Sequence, residues 1–123
     1  MKLADWEKQL AAAMRARDPV AAVRAIHPDA DADGVRMTAL LVARLRFERL
    51  LRGSPEAEAS FDRDPATFAR DFARYHAEVP PRAFFPGEEA ALFCAWRERR
   101  AAPPPARSRI VAPRRLRRRL PPR

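Results

Sequence analysis

The strongest constraint on this chain is a repeated two-residue device, a short polar side chain followed at once by proline. It occurs at Asp18-Pro19, Ser54-Pro55 and Asp64-Pro65. The polar side chain can accept a hydrogen bond from a free amide in the first helical turn. Proline fits the next position because no intrahelical amide partner is lost there. The same pairs would interrupt a central strand. The chain is therefore cut into helices at places readable one residue at a time.

Between these cuts the apolar residues recur at helical spacing. Leu3, Trp6, Leu10, Ala13 and Met14 form one stripe, and Val20, Val23 and Ile26 form a second, shorter one. A third helix runs from about Val35 to Arg52 and stops at Gly53, which reads as a left-handed residue closing the helix. Ser54-Pro55 opens a short turn of helix through Glu56 and Glu58. Asp64-Pro65 opens a helix with Phe68, Phe72, Tyr75 and Val79 inward, and Pro80-Pro81 ends it. Pro86-Gly87-Glu88-Glu89 starts the last helix, whose acidic first turn suits the dipole and whose expected inner face is Leu92, Phe93 and Trp96. No useful length alternates with a period of two. The expected fold class is all-α, a compact bundle of about five helices.

Charge divides the chain. Residues 101–123 hold eight arginines, six prolines and no acidic residue, whereas residues 1–100 hold 17 basic and 16 acidic side chains. The expected domains are a helical unit over 1–100 and a basic Pro/Arg-rich tail over 101–123, extended or disordered by itself. A single cysteine, Cys94, excludes an internal disulfide and a zinc site built on several cysteines. Its place on an apolar face suggests a small buried side chain. Charges near the N-terminus occupy the place of a signal peptide's apolar run, and no apolar run approaches a membrane span. A cytoplasmic protein without membrane insertion is expected.

HPDADADG, residues 27–34, contains the first half of a calcium loop. Gly34 stands at the sixth position counted from Asp29, but Leu40 stands at the twelfth, where a bidentate carboxylate is needed. Capping explains the aspartates better, so no metal and no cofactor are expected. On a helical wheel Met37, Leu40, Leu41, Phe47 and Leu51 share a side, with Arg44 and Glu48 in its middle. Two charges inside an apolar stripe are costly unless paired. The pair is either an internal ion pair, or one emerging at an edge of a rotated helix, or the polar anchor of a groove or interface. Asp71, Tyr75 and His76 share a helix, but no serine or cysteine stands as nucleophile, and His76 reads as a half-exposed structural histidine. Of Phe84 and Phe85, one is expected to staple inward and the other to form part of a contact patch. The arginine tail has the charge for nucleic acid but no aromatic residue to stack on bases.

These residues also resemble a known family. RLRFERLLRGSP, then D-P-x-x-F at Asp64, Pro65 and Phe68, the Tyr75 helix, and VPPRAFFP before a helix ending in Trp96, are similar to the HvfC-like and shorter TglI-like partner proteins. These are encoded beside multinuclear non-heme iron oxidative enzymes that modify ribosomally made peptides. The resemblance spans roughly residues 5–100. It implies a non-catalytic partner subunit that forms a heterodimer with the iron enzyme and helps present the precursor peptide. The iron ligands would lie in the enzyme. The residues this implies for partner or peptide contact are Arg44, Glu48, Tyr75, Phe84 and Phe85. Longer members add a winged-helix-like domain where this chain has only its basic tail. The alternative function is a small nucleic-acid-binding protein acting through that tail.

Overall fold

A computed structural model describes residues 2–101, and the basic tail read above lies almost wholly outside the described residues. Six helices follow one another: α1 Leu3–Met14, α2 Pro19–Ile26, α3 Ala32–Arg52, α4 Pro55–Arg63, α5 Pro65–Glu78 and α6 Pro86–Ala101. The fold is all-α, and no strand occurs among the described residues. Where about five helices are expected from sequence, the segment after Ser54 proves to be a nine-residue helix of its own.

All three cap-plus-proline pairs act as anticipated. Asp18 accepts from the Ala21 amide, Ser54 from Ala57 and Asp64 from Thr67, at 3.1, 3.2 and 3.2 Å. The aspartate run resolves in the same way. Asp31 caps α3 by accepting from the Gly34 amide at 2.7 Å, so the helix begins three residues before Val35. Asp33 pairs with Arg36 at 3.1 Å. Glu88 accepts from the Phe85 amide at 3.0 Å and closes the start of α6, the carboxylate half of a capping box.

Gly53 corrects the sequence expectation. Its backbone is right-handed, with φ −80° and ψ −11°. The glycine is needed for another reason: a Cβ there would overlap the Pro86 carbonyl and stand 2.8 Å from the Gly87 nitrogen. The absent side chain lets the end of α3 meet the start of α6.

Two apolar clusters hold the bundle. The larger joins Leu50 of α3 and Ala57 of α4 to Phe68, Phe72 and Tyr75 of α5 and Ala90, Phe93 and Trp96 of α6. Its rings meet mostly edge to face, as at Phe47–Phe72 (5.0 Å) and Tyr75–Phe93 (5.1 Å), the arrangement favoured by aromatic quadrupoles. Leu92 is not part of this face, being partly exposed on α6, and Cys94 is half-buried. The smaller cluster joins Ala13, Val23 and Val35, with Leu10, Met14 and Ile26 packed around them. Leu3 and Trp6, at the start of the α1 stripe, remain exposed. No helix among the described residues is long and apolar enough to cross a membrane.

Candidate functional site

The buried face of α3 is not its most apolar one. Val35, Arg46 and Leu50 point inward, and Ala39 and Ala43 are half-buried between them. The small alanines allow neighbouring helices to approach closely. The side bearing Met37, Leu40 and Leu41 faces outward, and so does Leu45. Arg44 and Glu48 form an i, i+4 pair at 3.1 Å on that outward side, with Arg44 72% exposed. The internal ion pair is thereby excluded for these two residues, and their contribution to stability is small.

The charge that does enter the core is Arg46. Its Nε and Nη2 donate to the two Glu89 oxygens at 2.6 and 3.2 Å, a bidentate pair across α3 and α6. The Tyr75 hydroxyl donates to Glu89 Oε2 at 2.6 Å, and the Arg46 guanidinium lies 4.6 Å from the Tyr75 ring centre. Arg46 Nη1 donates to His76 Nδ1 at 3.2 Å and to the Val79 carbonyl at 2.7 Å. Arg46, Glu89, Tyr75 and His76 are all buried, and Val79 is half-buried.

Burial and hydrogen bonding together set the protonation of the group. The loss of water alone would raise the Glu89 pKa, but hydrogen bonds from Arg46 and Tyr75 outweigh it and the net shift is downward. Burial first, then the Glu89 carboxylate, pushes the Tyr75 hydroxyl up to about 12. Burial, then Arg46 and Arg15, lowers His76 to about 4, so it is neutral at pH 7. The half-exposed histidine expected from sequence is instead enclosed, stacked on Phe72 at 5.7 Å. Asp71 is turned to Arg97, at 3.1 Å, and gives His76 no carboxylate partner. Tyr75 is wholly enclosed, so a contact role at a surface is corrected to one inside the buried lock that Arg46, Glu89, Tyr75 and His76 form.

The lock shapes the surface beside it. Arg46 holds the Val79 carbonyl where the connection from α5 begins, and Arg49 Nη2 holds the Phe84 carbonyl at 2.9 Å near its end. With the Phe85 amide taken by Glu88, the connection is tied at both ends and stiffened by Pro80 and Pro81. It displays Phe84 and Phe85, 81% and 64% exposed, with ring centres 5.4 Å apart. Neither staples inward, contrary to the sequence expectation. Arg49 lies one helical turn beyond Leu45, so the loop is pinned beside the outward side of α3. The structure thus brings Phe84 and Phe85 together and sets them on the Leu45 flank of the helix that carries Arg44 and Glu48. It separates Tyr75 from them.

Arg46 and Arg49 escape a reading by sequence. On the helical wheel Arg46 falls between Val35 and Leu50, but its neighbours there are alanines and give a weak stripe. Its partner Glu89 resembles an ordinary dipole-facing residue in a first turn. No group of three or more His, Cys, Asp or Glu side chains that could hold a metal occurs among the described residues. Comparison of the chain with family models, curated proteins and solved structures finds no match.

Proposed function

We propose that this chain is a non-catalytic docking subunit that pairs with a multinuclear non-heme iron oxidative enzyme and helps present a ribosomally made precursor peptide to it. One observation carries the docking part: Phe84 and Phe85 are more than half exposed on a loop that Arg46 and Arg49 tie to α3, the helix whose outward side bears exposed Leu41 and Leu45. A single exposed leucine is ordinary, whereas large apolar side chains gathered on a braced surface are a mark of protein contact. Aromatic anchors held in place before binding lose little side-chain entropy when they enter a partner. Arg44 and Glu48 lie on the same face and supply polar points for orientation. The identity of the partner rests on the sequence resemblance over residues 5–100.

The non-catalytic part is supported by the closure of the ionisable group. Glu89 accepts from Arg46 and Tyr75, and His76 Nδ1 accepts from Arg46, so the acceptors of this buried group are already taken. The test is co-expression with a multinuclear non-heme iron oxidative enzyme of the kind that the resembled partner proteins accompany. The expected result is a complex that survives purification, and peptide modification that drops when this chain is omitted. Modification that proceeds equally without it ends the proposal.

A further inference from the structure

A second surface lies on the other flank of α3. The connection between α1 and α2 and the outer side of α5 bound an open cleft of about 550 Å³, whose walls include Leu40 and Phe72. Three arginines line it, Arg15, Arg17 and Arg74, and no carboxylate does. Among the described residues none of the three forms an ion pair. In a unit whose charges otherwise nearly balance, this is a local excess of cations around an apolar floor.

The cleft also holds two buried donors without acceptors, Arg15 Nε and His76 Nε2. The state of His76 follows from geometry. Arg46 can only donate, and it occupies Nδ1, so the ring proton sits on Nε2. Arg15 reaches the carbonyls of His76 and Ala77 through Nη1 at 3.3 and 3.5 Å, the long end of hydrogen bonding. Its head is held only by these long contacts. Buried donors are nearly always satisfied in folded proteins, and two unmet ones lining one cleft mark where an acceptor belongs. Donors, cations and an apolar wall together select an anionic group attached to an apolar one.

We propose that this cleft binds an acidic peptide segment, with one carboxylate against Arg15 and His76 and a neighbouring apolar side chain on Leu40. Nucleic acid fits less well, because Phe72 is buried and the cleft offers no exposed aromatic ring for stacking. The inference rests on the docking proposal only in taking the acidic ligand to be a peptide. Leu40 is also one of the exposed residues on the outward side of α3, so a peptide held here lies next to the proposed enzyme contact.

The test uses the purified full-length chain with no enzyme present. A short labelled peptide of Glu–Leu repeats is titrated by fluorescence anisotropy at near-physiological salt, beside the matching Gln–Leu peptide. The Glu peptide is expected to bind and the Gln peptide to bind about tenfold more weakly or less, as loss of charge-assisted hydrogen bonds requires. R15Q/R74Q should weaken the Glu peptide to a similar degree. R52Q/R63Q, which removes equal charge elsewhere and keeps the tail, should leave binding nearly unchanged. Titration of the ¹⁵N-labelled wild-type chain should shift the His76 ring resonances, a readout that needs no variant. Equal loss in both double variants, equal binding of the two peptides or an unmoved His76 overturns the proposal. So does a thymidine oligonucleotide that binds more tightly than the peptide and loses affinity in R15Q/R74Q. Because the enzyme is absent, failure of the docking face leaves this outcome untouched.

Discussion

Arg46 on α3 and Glu89 on α6 face each other through two hydrogen bonds, Nε to Oε1 at 2.6 Å and Nη2 to Oε2 at 3.2 Å, in the interior of the bundle. They are 43 positions apart in the chain, so the pair fixes how two distant helices meet. Tyr75 adds a third element to the same carboxylate.

Breaking this pair from one side leaves a buried charge without its partner. Arg46→Leu or Glu89→Leu is expected to destabilise the chain by about 3–5 kcal/mol, read from urea midpoints. Arg46→Leu with Glu89→Leu removes both charges and should lose less than the two single changes added together. Strict additivity would mean that the pair is not coupled.

His76 sets a dependence on pH. Its folded pKa of about 4 lies below an unfolded value near 6.5, so the unfolded chain binds the proton more readily between these values. The stability associated with the neutral ring is therefore full above about pH 6.5 and is lost as pH falls toward 4, by about 3 kcal/mol in all. Urea midpoints across this window should fall in the wild type. His76→Gln, which keeps an acceptor available to Arg46, should flatten the slope.

Gly53 and Gly87 should respond in opposite ways to alanine. At Gly53 the added methyl meets the Pro86 backbone, and the expected loss is about 1–3 kcal/mol. At Gly87 a Cβ would stand 3.6 Å from the Gly53 oxygen, an ordinary contact, and the gain in helix propensity should leave stability equal or raised by about 1 kcal/mol. Thermal melts of the two variants check the contrast.

Phe84→Ser and Leu45→Ser should separate docking from folding. Both side chains are largely exposed, so each change is expected to alter stability by no more than about 0.5 kcal/mol. Association with the proposed enzyme partner should weaken by about 2 kcal/mol for Phe84→Ser, the scale of an aromatic anchor. Unaltered co-purification of both variants would place the contact elsewhere.

Much of the fold is legible in the sequence because its signals are local. Asp18, Ser54 and Asp64 each satisfy an amide three residues away, and the following prolines fix the helix starts. Phe68, Phe72 and Tyr75 announce the inner face of α5 by spacing alone. Part of the proposed contact surface is legible too, since Phe84 and Phe85 stand out in a proline-bounded loop. What misleads is α3, where the more apolar side suggests burial. Its neighbours instead bury the alanine side, and Leu41 and Leu45 remain in water.

The order and boundaries of the helices were therefore settled by the chain itself, because a cap, a proline or a heptad-like spacing acts within a few residues. Which side of α3 turns inward, why Gly53 has no side chain, and that Arg46 rather than Arg44 carries the buried charge were decided only by assembly. Those outcomes depend on groups brought together from more than 30 positions away: Pro86 at Gly53, and Glu89 and Val79 at Arg46. Desolvation and steric exclusion act on the assembled space, and no local pattern encodes them.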